Sequence, residues 1–247
     1  MKAQVLLPKI FNFPFTYNAK IEGKLGNLVE VPFGSKKEIG VIWKKNYLEP
    51  KGIKIKDITK KTDYSIDKKL IDFIEWFSIY NMVPIGLVLK MAIGNIDKFL
   101  RVKDNLVDFK KFNQKNFILN KEQLQALKFL ERTENKFDVS VLQGTTGSGK
   151  TIVYFERLKK IIKKNKQALV LLPEIFLTND FKSRFEDFFG FEPAIWHSKI
   201  TPKQKRIIWK KVISNKIKIV VGARSALFLP FKNLGIIVVD EEHDASY

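Results

Sequence analysis

The sequence predicts an α/β protein, a parallel sheet between helices preceded by a smaller β-rich domain with a helical segment. Three observations carry this expectation. After Leu119, short apolar runs alternate with amphipathic stretches of helical period. A glycine-rich loop from Gly144 to Thr151 joins one such run to one such stretch. Before about residue 60, brief alternating runs are instead punctuated by glycine and proline.

Each element follows from its local pattern. Val5–Leu7, Leu28–Val31 and Ile39–Trp43 read as strands, with Gly23, Gly26, Pro32, Gly34 and Gly52 between them. From Asp67 to Met82 the apolar residues Leu70, Ile71, Ile74, Phe77 and Ile79 take a helical period. Residues 1–94 thus form the β-rich domain. Residues 95–117 are polar, basic and weakly patterned, and read as a linker. The second domain spans 118–247. Its first helix starts near Asn120, with Gln123 placed to close a capping box. Val139–Gln143 is expected as a buried strand, residues 150–164 as an amphipathic helix and Ala168–Leu172 as the next strand. A helix from Thr178, a strand at Ala194–Trp196 and a helix opened by Thr201-Pro202 follow. Ile217–Val221 and Ile236–Val239 complete the set. Strands apolar throughout imply a parallel sheet covered on both faces.

Composition narrows the function. Hydrophobic types make up 45% of the 247 residues, enough for a sizeable core. There is no cysteine, which excludes disulfides, cysteine zinc sites and thiol nucleophiles from this stretch; two histidines alone cannot complete a tetrahedral metal site. Pro8 and Lys9 break the N-terminal apolar run, and no run approaches the ~20 residues of a membrane span. The expected compartment is the cytoplasm, with no membrane partner. The formal net charge of +19 asks for a polyanion. Lysine greatly outnumbers arginine, but that bias exchanges one cation for another and leaves the surplus to be explained. With no basic amphipathic helix in view, nucleic acid is favoured over membrane.

Two motifs carry chemistry. Gly144-Thr145-Thr146-Gly147-Ser148-Gly149-Lys150-Thr151 matches the full phosphate-loop pattern. Its glycines let successive backbone N–H groups face phosphates, Lys150 reaches the β- and γ-phosphates of ATP, and the Thr151 hydroxyl ligates Mg²⁺. Four apolar residues, Ile236–Val239, then deliver Asp240, Glu241, Glu242 and His243 to a strand end. Asp240 is expected to hold Mg²⁺ and Glu241 to orient and deprotonate the attacking water. Other positions keep two readings. Gln123 hydrogen-bonds adenine or caps its helix. Arg224 meets a phosphate or carboxylate, or forms a surface ion pair. His197 and Ser198 contact DNA or make a polar loop. Phe13, Phe15 and Tyr17 stack on bases or belong to the core.

Over most of its length the chain resembles the PriA family of bacterial replication-restart helicases (primosomal protein N′). The resemblance rests on VLLPKIFNFPFTY, VEVPFGSKKEIGVI, the stretch from Lys54 to about Ile93, and LNKEQLQAL. It continues through GTTGSGKT, ALVLLPEIFLT, WHS, VGARSALFLPFKNLG and VVDEEHDASY. DEEHD after FKNLG is narrower than a general DEAD or DEAH box. The resemblance implies the first RecA-like lobe of a superfamily 2 motor, with catalytic roles for Lys150, Asp240, Glu241, His243 and Arg224. It implies an N-terminal domain that captures the 3′ end of a nascent strand, with Phe15 and Gly34 as pocket walls and Lys56 nearby. The family usually carries an acidic residue where Thr16 stands. ATP-driven 3′→5′ unwinding at abandoned forks is implied, with forked and single-stranded DNA, primosome proteins and single-strand-binding protein as partners.

The chain departs from the family pattern in three further respects. Residues 95–117 are too short for the winged-helix module that the family places there. The family's second lobe, with its arginine finger, and its zinc-binding cysteines do not fall within these 247 residues. Such a stretch, whether a truncated piece or a shortened gene product, is expected alone to bind nucleotide weakly, turn it over near background and leave duplexes unopened. A restriction-type translocase is a rival, disfavoured by FKNLG before DEEHD. A catalytically inactive nucleotide- and DNA-binding protein is the rival from another class.

Overall fold

The computed structural model describes residues 1–20, 22–44, 52, 54–94, 117–132, 137–145 and 147–244. The expected linker at 95–117 lies, apart from Phe117, outside the described residues. The chain divides into two compact units.

In the first unit, β1 (Lys2–Leu6), β2 (Phe15–Asn18), β3 (Asn27–Phe33), β4 (Lys36–Lys44) and β5 (Lys60–Ser65) form one sheet in the order β2-β1-β4-β3-β5. Every pairing is antiparallel. Alternation sends Val5, Tyr17, Val29, Val31 and Ile42 into one core. The sequence reading missed both edge strands, β2 and β5. β2 is four residues long, too short for its alternation to mark a strand, and the run Lys60–Ser65 carries no alternating apolar signal. The β3–β4 hairpin closes through Gly34-Ser35, with Phe33 opposite Lys36. Gly34 has φ 59°, the positive angle that a two-residue hairpin turn requires at its first position.

The helix expected over 67–82 forms, and a second helix that the sequence reading did not single out follows it. α1 (Lys68–Tyr80) starts where the Asp67 carboxylate accepts from Lys69 N–H. It ends at Asn81, and α2 (Ile85–Ile93) begins after Pro84. Trp43 Nε1 donates to Glu75 Oε1 at 2.8 Å, which ties β4 to α1.

The second unit holds α3 (Lys121–Glu131), α4 (Lys150–Lys163), β6 (Gln167–Leu171), α5 (Asn179–Phe189), β7 (Ala194–Trp196), β8 (Ile219–Gly222) and β9 (Leu234–Val239). Its sheet is parallel, in the order β7-β8-β6-β9. Phe155 of α4 packs among Phe185, Phe188 and Phe189 of α5, over Ala168, Val170, Ile219 and Val221. Burial on both faces holds for β6 and β8. It fails for β9, whose Ile237 and Val239 are 45% and 48% exposed.

The strand expected at 139–143 does not form. Residues 137–145 have no regular structure, and Val139 and Val141 are exposed. The apolar alternation is there, but a strand also needs a neighbour for its backbone groups. β9 is an edge of the sheet, and among the described residues no strand pairs with this segment.

Residues 201–215 and 228–232 belong to the first unit despite their place in the sequence. They include α6 (Pro202–Ile213), which links β7 to β8 in the chain and opens with a full Thr201–Gln204 capping box. Trp209 of α6 is buried and donates from Nε1 to Ala92 O at 2.8 Å. Phe228 packs on Phe73 and Phe77 of α1.

Gln167, wholly buried at the start of β6, fixes the parallel register. Its Nε2 donates to Ile217 O at 2.8 Å, ahead of β8. Its Oε1 accepts from Asn233 N–H at 3.1 Å, ahead of β9. Gln167→Leu leaves both groups without that partner. It should cost about 1–3 kcal/mol for each group left unsatisfied, measured by urea unfolding. An unchanged midpoint would show that the amide does not set the register.

Candidate functional site

The register brings four strand ends to one edge. Leu171 pairs with both Gly222 and Val239, and Gly222 pairs with Trp196. The segments after β6, β7, β8 and β9 therefore leave the sheet side by side at its C-terminal edge, where open parallel sheets bind ligands.

The glycine-rich loop leads into α4. Gly149 takes φ 83° as its N-cap, a left-handed angle that a side chain would strain. The helix start turns its unpaired N–H groups and positive dipole end toward the loop. The Lys150 ammonium folds back and donates to Gly144 O at 2.6 Å and Thr145 O at 3.1 Å. Thr146 lies outside the described residues. Both readings of Gln123 involve its amide, and the capping box is formed: Oε1 accepts from Asn120 N–H and Asn120 Oδ1 accepts from Gln123 N–H. Gln123 Nε2 also donates to Ser148 O at 3.1 Å, which braces the loop.

Asp240 stands just past β9, its N–H on Leu171 O. Its Oδ2 accepts from the Tyr154 hydroxyl at 2.9 Å, and its Oδ1 accepts from Glu241 N–H at 3.1 Å. Thr151 stands one helical turn before Tyr154 on α4, and its hydroxyl acts on the same phenol. Tyr154 thus ties the helix that carries Thr151 to Asp240, and Thr151 and Asp240 are the two expected Mg²⁺ ligands. Burial, then the negative charge of Asp240, hold the phenol far above its ordinary pKa, so it stays a donor. The sequence reading missed Tyr154. The available signal was its spacing from Thr151, three residues on and therefore on the same helix face. Glu241 has φ 53°, an unusual angle outside glycine and one found at functional sites. His243 Nε2 lies 3.5 Å from Glu241 Oε2.

Two further loops share the edge. Arg224 is exposed at the start of the 3-10 turn Arg224–Phe228 and makes no ion pair among the described residues, so the surface ion-pair reading is not met. Ser198 is engaged: its N–H and hydroxyl donate to Glu174 Oε1 at 3.1 and 2.9 Å. His197 Nδ1 accepts from Lys199 N–H at 3.2 Å. Glu174 is a second residue that the sequence reading did not single out.

These residues fit Mg·nucleotide. A lysine held by two backbone carbonyls, glycine backbone at a helix start and two oxygen ligands near each other are what a triphosphate and an Mg²⁺ need, since Mg²⁺ takes few protein ligands beside phosphate. Among the described residues, no three His, Cys, Asp or Glu side chains group to hold a metal alone.

A second site lies in the first unit. A cavity of about 490 Å³ is bounded by Phe13, Phe15, Thr16, Gly34, Lys54 and Lys56, among others. It falls within the roughly 300–1,000 Å³ common for ligand sites. Phe11, Phe13, Phe15 and Phe33 pack edge to face and tilted, with centroids 4.9–5.9 Å apart. Phe13 is 55% exposed, and its ring is open to a stacking partner. Tyr17 lines the cavity but is 4% exposed, with its hydroxyl on Pro32 O. Its ring belongs to the core, because β2 alternation points it inward with Ala3 opposite; base stacking on Tyr17 is corrected accordingly. The Lys56 ammonium reaches Gly34 O at 3.5 Å.

No helix of the described residues is long and apolar enough to cross a membrane. Comparison with known proteins gives two family matches. Residues 120–247 match the DEAD/DEAH box helicase family, and residues 4–94 match the PriA 3′ DNA-binding domain. Replication restart protein PriA of Rickettsia felis is 39% identical over 254 residues, covering 99% of this chain and 38% of that protein. PriA of Helicobacter pylori is 35% identical over 235 residues, covering 95% and 36%. PriA of Bacillus subtilis is 37% identical over 205 residues, covering 81% and 23%. The chain spans less than two fifths of the length of these relatives.

The Glu174–Ser198 contact predicts a pH response. The Ser198 N–H, then its hydroxyl, hold the Glu174 carboxyl below the usual glutamate value. The contact therefore contributes stability above that usual value and loses it as pH falls through the lowered one. An NMR titration should find a lowered Glu174 midpoint, and Ser198→Ala should raise it part of the way back. A midpoint indifferent to Ser198→Ala would contradict the contact.

Proposed function

The chain belongs to the DEAD/DEAH box helicases and, within them, to the PriA family, and on that premise we propose that it binds Mg·ATP and a DNA 3′ end at separate sites. The nucleotide site is the strand-end edge of the parallel sheet. The DNA end enters the cavity beside Phe13 and Phe15. Residues 1–94 are the end-binding domain and 118–247 the first motor lobe.

The observation that carries the nucleotide reading is the bond from the Tyr154 hydroxyl to Asp240, one helical turn from Thr151. It joins the phosphate loop to the acidic strand end before any ligand arrives, so little reorganisation remains on binding. Backbone N–H groups of the loop and the Lys150 ammonium receive phosphate oxygens. Thr151 and Asp240 hold Mg²⁺, which supplies charge neutralisation at the phosphates. Glu241 accepts a proton from the attacking water, and His243 lies beside it to orient its carboxylate. Arg224, which makes no ion pair among the described residues, meets a phosphate or a carboxylate at the same edge.

For the whole protein we extend this to ATP-driven 3′→5′ unwinding at stalled forks, followed by primosome assembly with single-strand-binding protein nearby. The support is the family, the joint presence of an end-binding domain and a motor lobe, and the net charge of +19.

Lys150→Ala removes a charge-assisted contact to phosphate. It should weaken Mg·ATP binding by about 1.5–3 kcal/mol, roughly 10- to 100-fold in Kd, measured by titration calorimetry. Unchanged affinity would remove the phosphate-loop assignment. DNA binding should occur without nucleotide and fall steeply with salt. The log–log slope should gain about −0.9 per duplex phosphate contacted, or about −0.7 per single-strand phosphate. A flat response in fluorescence anisotropy would mean that the charge is only solvated surface.

A further inference from the structure

Among the described residues, the cavity of the first unit is lined by two cations and no carboxylate. Of those lining side chains Lys54 and Lys56 are charged; the others are aromatic, apolar or neutral polar. Position 16 on β2 is a threonine, and Gln4 stands opposite it on β1. The Lys56 ammonium uses one of its three N–H donors on Gly34 O.

The carboxylates of the surrounding strands are committed to other cations. Asp57 accepts from Lys20 at 2.6 Å and from Asn18 at 2.9 Å. Glu30 pairs with Lys37 and Glu38 with Lys9, each at 2.9 Å. Among the described residues no carboxylate pairs with Lys54 or Lys56. Among the described residues, the cavity is thus an apolar chamber with uncompensated positive charge.

A pocket built to admit only a hydroxyl terminus sets a carboxylate against the terminal oxygen. The carboxylate accepts from the hydroxyl and repels a phosphate. Among the described residues that line this cavity, none does the second. A terminal phosphate carries about −1.5 to −2 charge at pH 7, and two ammonium groups attract it as point charges. We propose that this cavity binds a DNA strand ending in a 3′-phosphate at least as tightly as one ending in a 3′-hydroxyl. Lys54 and Lys56 receive the phosphate, and the neutrality of Thr16 permits it. The inference rests on the reading of the cavity as a 3′-end site.

The test is fluorescence anisotropy of the 247-residue chain with four forms of one forked oligonucleotide. They carry a 3′-hydroxyl, a 3′-phosphate, a 3′-hydroxyl with an added 5′-phosphate on the same strand, and a 3′ end closed into a hairpin loop. The closed end should bind most weakly, the 3′-phosphate as tightly as the 3′-hydroxyl or more so, and the 5′-phosphate should change nothing. Thr16→Asp should then select against the 3′-phosphate by about tenfold or more, the least expected of like charges set together. Lys54→Ala with Lys56→Ala should remove any phosphate advantage, with thermal melting to check that the variants fold. A 3′-phosphate bound more weakly than the hydroxyl, with the closed end still weakest, overturns the proposal and leaves the end-site reading standing. An equal gain from the 5′-phosphate, or no selection by Thr16→Asp, also overturns it. A closed end that binds as well as the open one overturns both readings.

Discussion

Parallel register is the constraint on which the nucleotide site depends. Every functional segment of the second unit hangs from a strand end, and a shift of one residue would separate Leu171 from Gly222 and Val239. Apolar strands such as Ala168–Leu171 and Ile219–Val221 are interchangeable by hydrophobicity and would tolerate several alignments. Gln167 removes that freedom. It is buried, and its amide is satisfied only where the entries to β8 and β9 flank it. A polar group at one end of the sheet thereby fixes the geometry at the other. Tyr154 repeats the device at the working edge, where its hydroxyl joins α4 to β9.

The state of Lys150 follows from the same economy of polar groups. An ammonium beside a helix N-terminus has no reason to remain unless something accepts its protons. In this structure Gly144 O and Thr145 O do so. These carbonyls hold the loop curled around the place that a phosphate oxygen would take. Ligand binding then becomes an exchange of acceptors, with the backbone already bent.

Much of the fold was legible in the sequence because its signals are local. The capping box at Asn120, the cap at Thr201, the loop Gly144–Thr151 and the apolar runs of β6, β8 and β9 are each defined within a few residues. What escaped needs a partner distant in sequence. β2 and β5 exist because β1 and β3 offer them edges, and their own side chains give little hint of it. Val139–Gln143 has the apolar pattern of a strand but no neighbour to pair with, and it stays irregular. Thr201-Pro202 announced a helix, yet nothing local told that its Trp209 would be buried against Ala92 in the first unit. At the site, Lys150, Thr151, Asp240 and Glu241 were readable as motifs. Tyr154 and Glu174 act through contacts 86 and 24 residues away and were not. Phe15 and Tyr17 show the limit of an alternating pattern: it puts them on one strand face without telling that Tyr17 closes into the core.

The central claim is that the phosphate loop and the Asp240 strand end form one Mg·nucleotide site. Its most direct measurement is a crystal structure of the chain grown with Mg·ADP. The account predicts phosphate oxygens at the loop N–H groups, with Lys150 Nζ moved from Gly144 O and Thr145 O onto the β-phosphate. It also predicts Mg²⁺ between Thr151 and Asp240. Nucleotide bound elsewhere, or bound at the loop with Lys150 still on its two carbonyls and Asp240 remote from the metal, would contradict it.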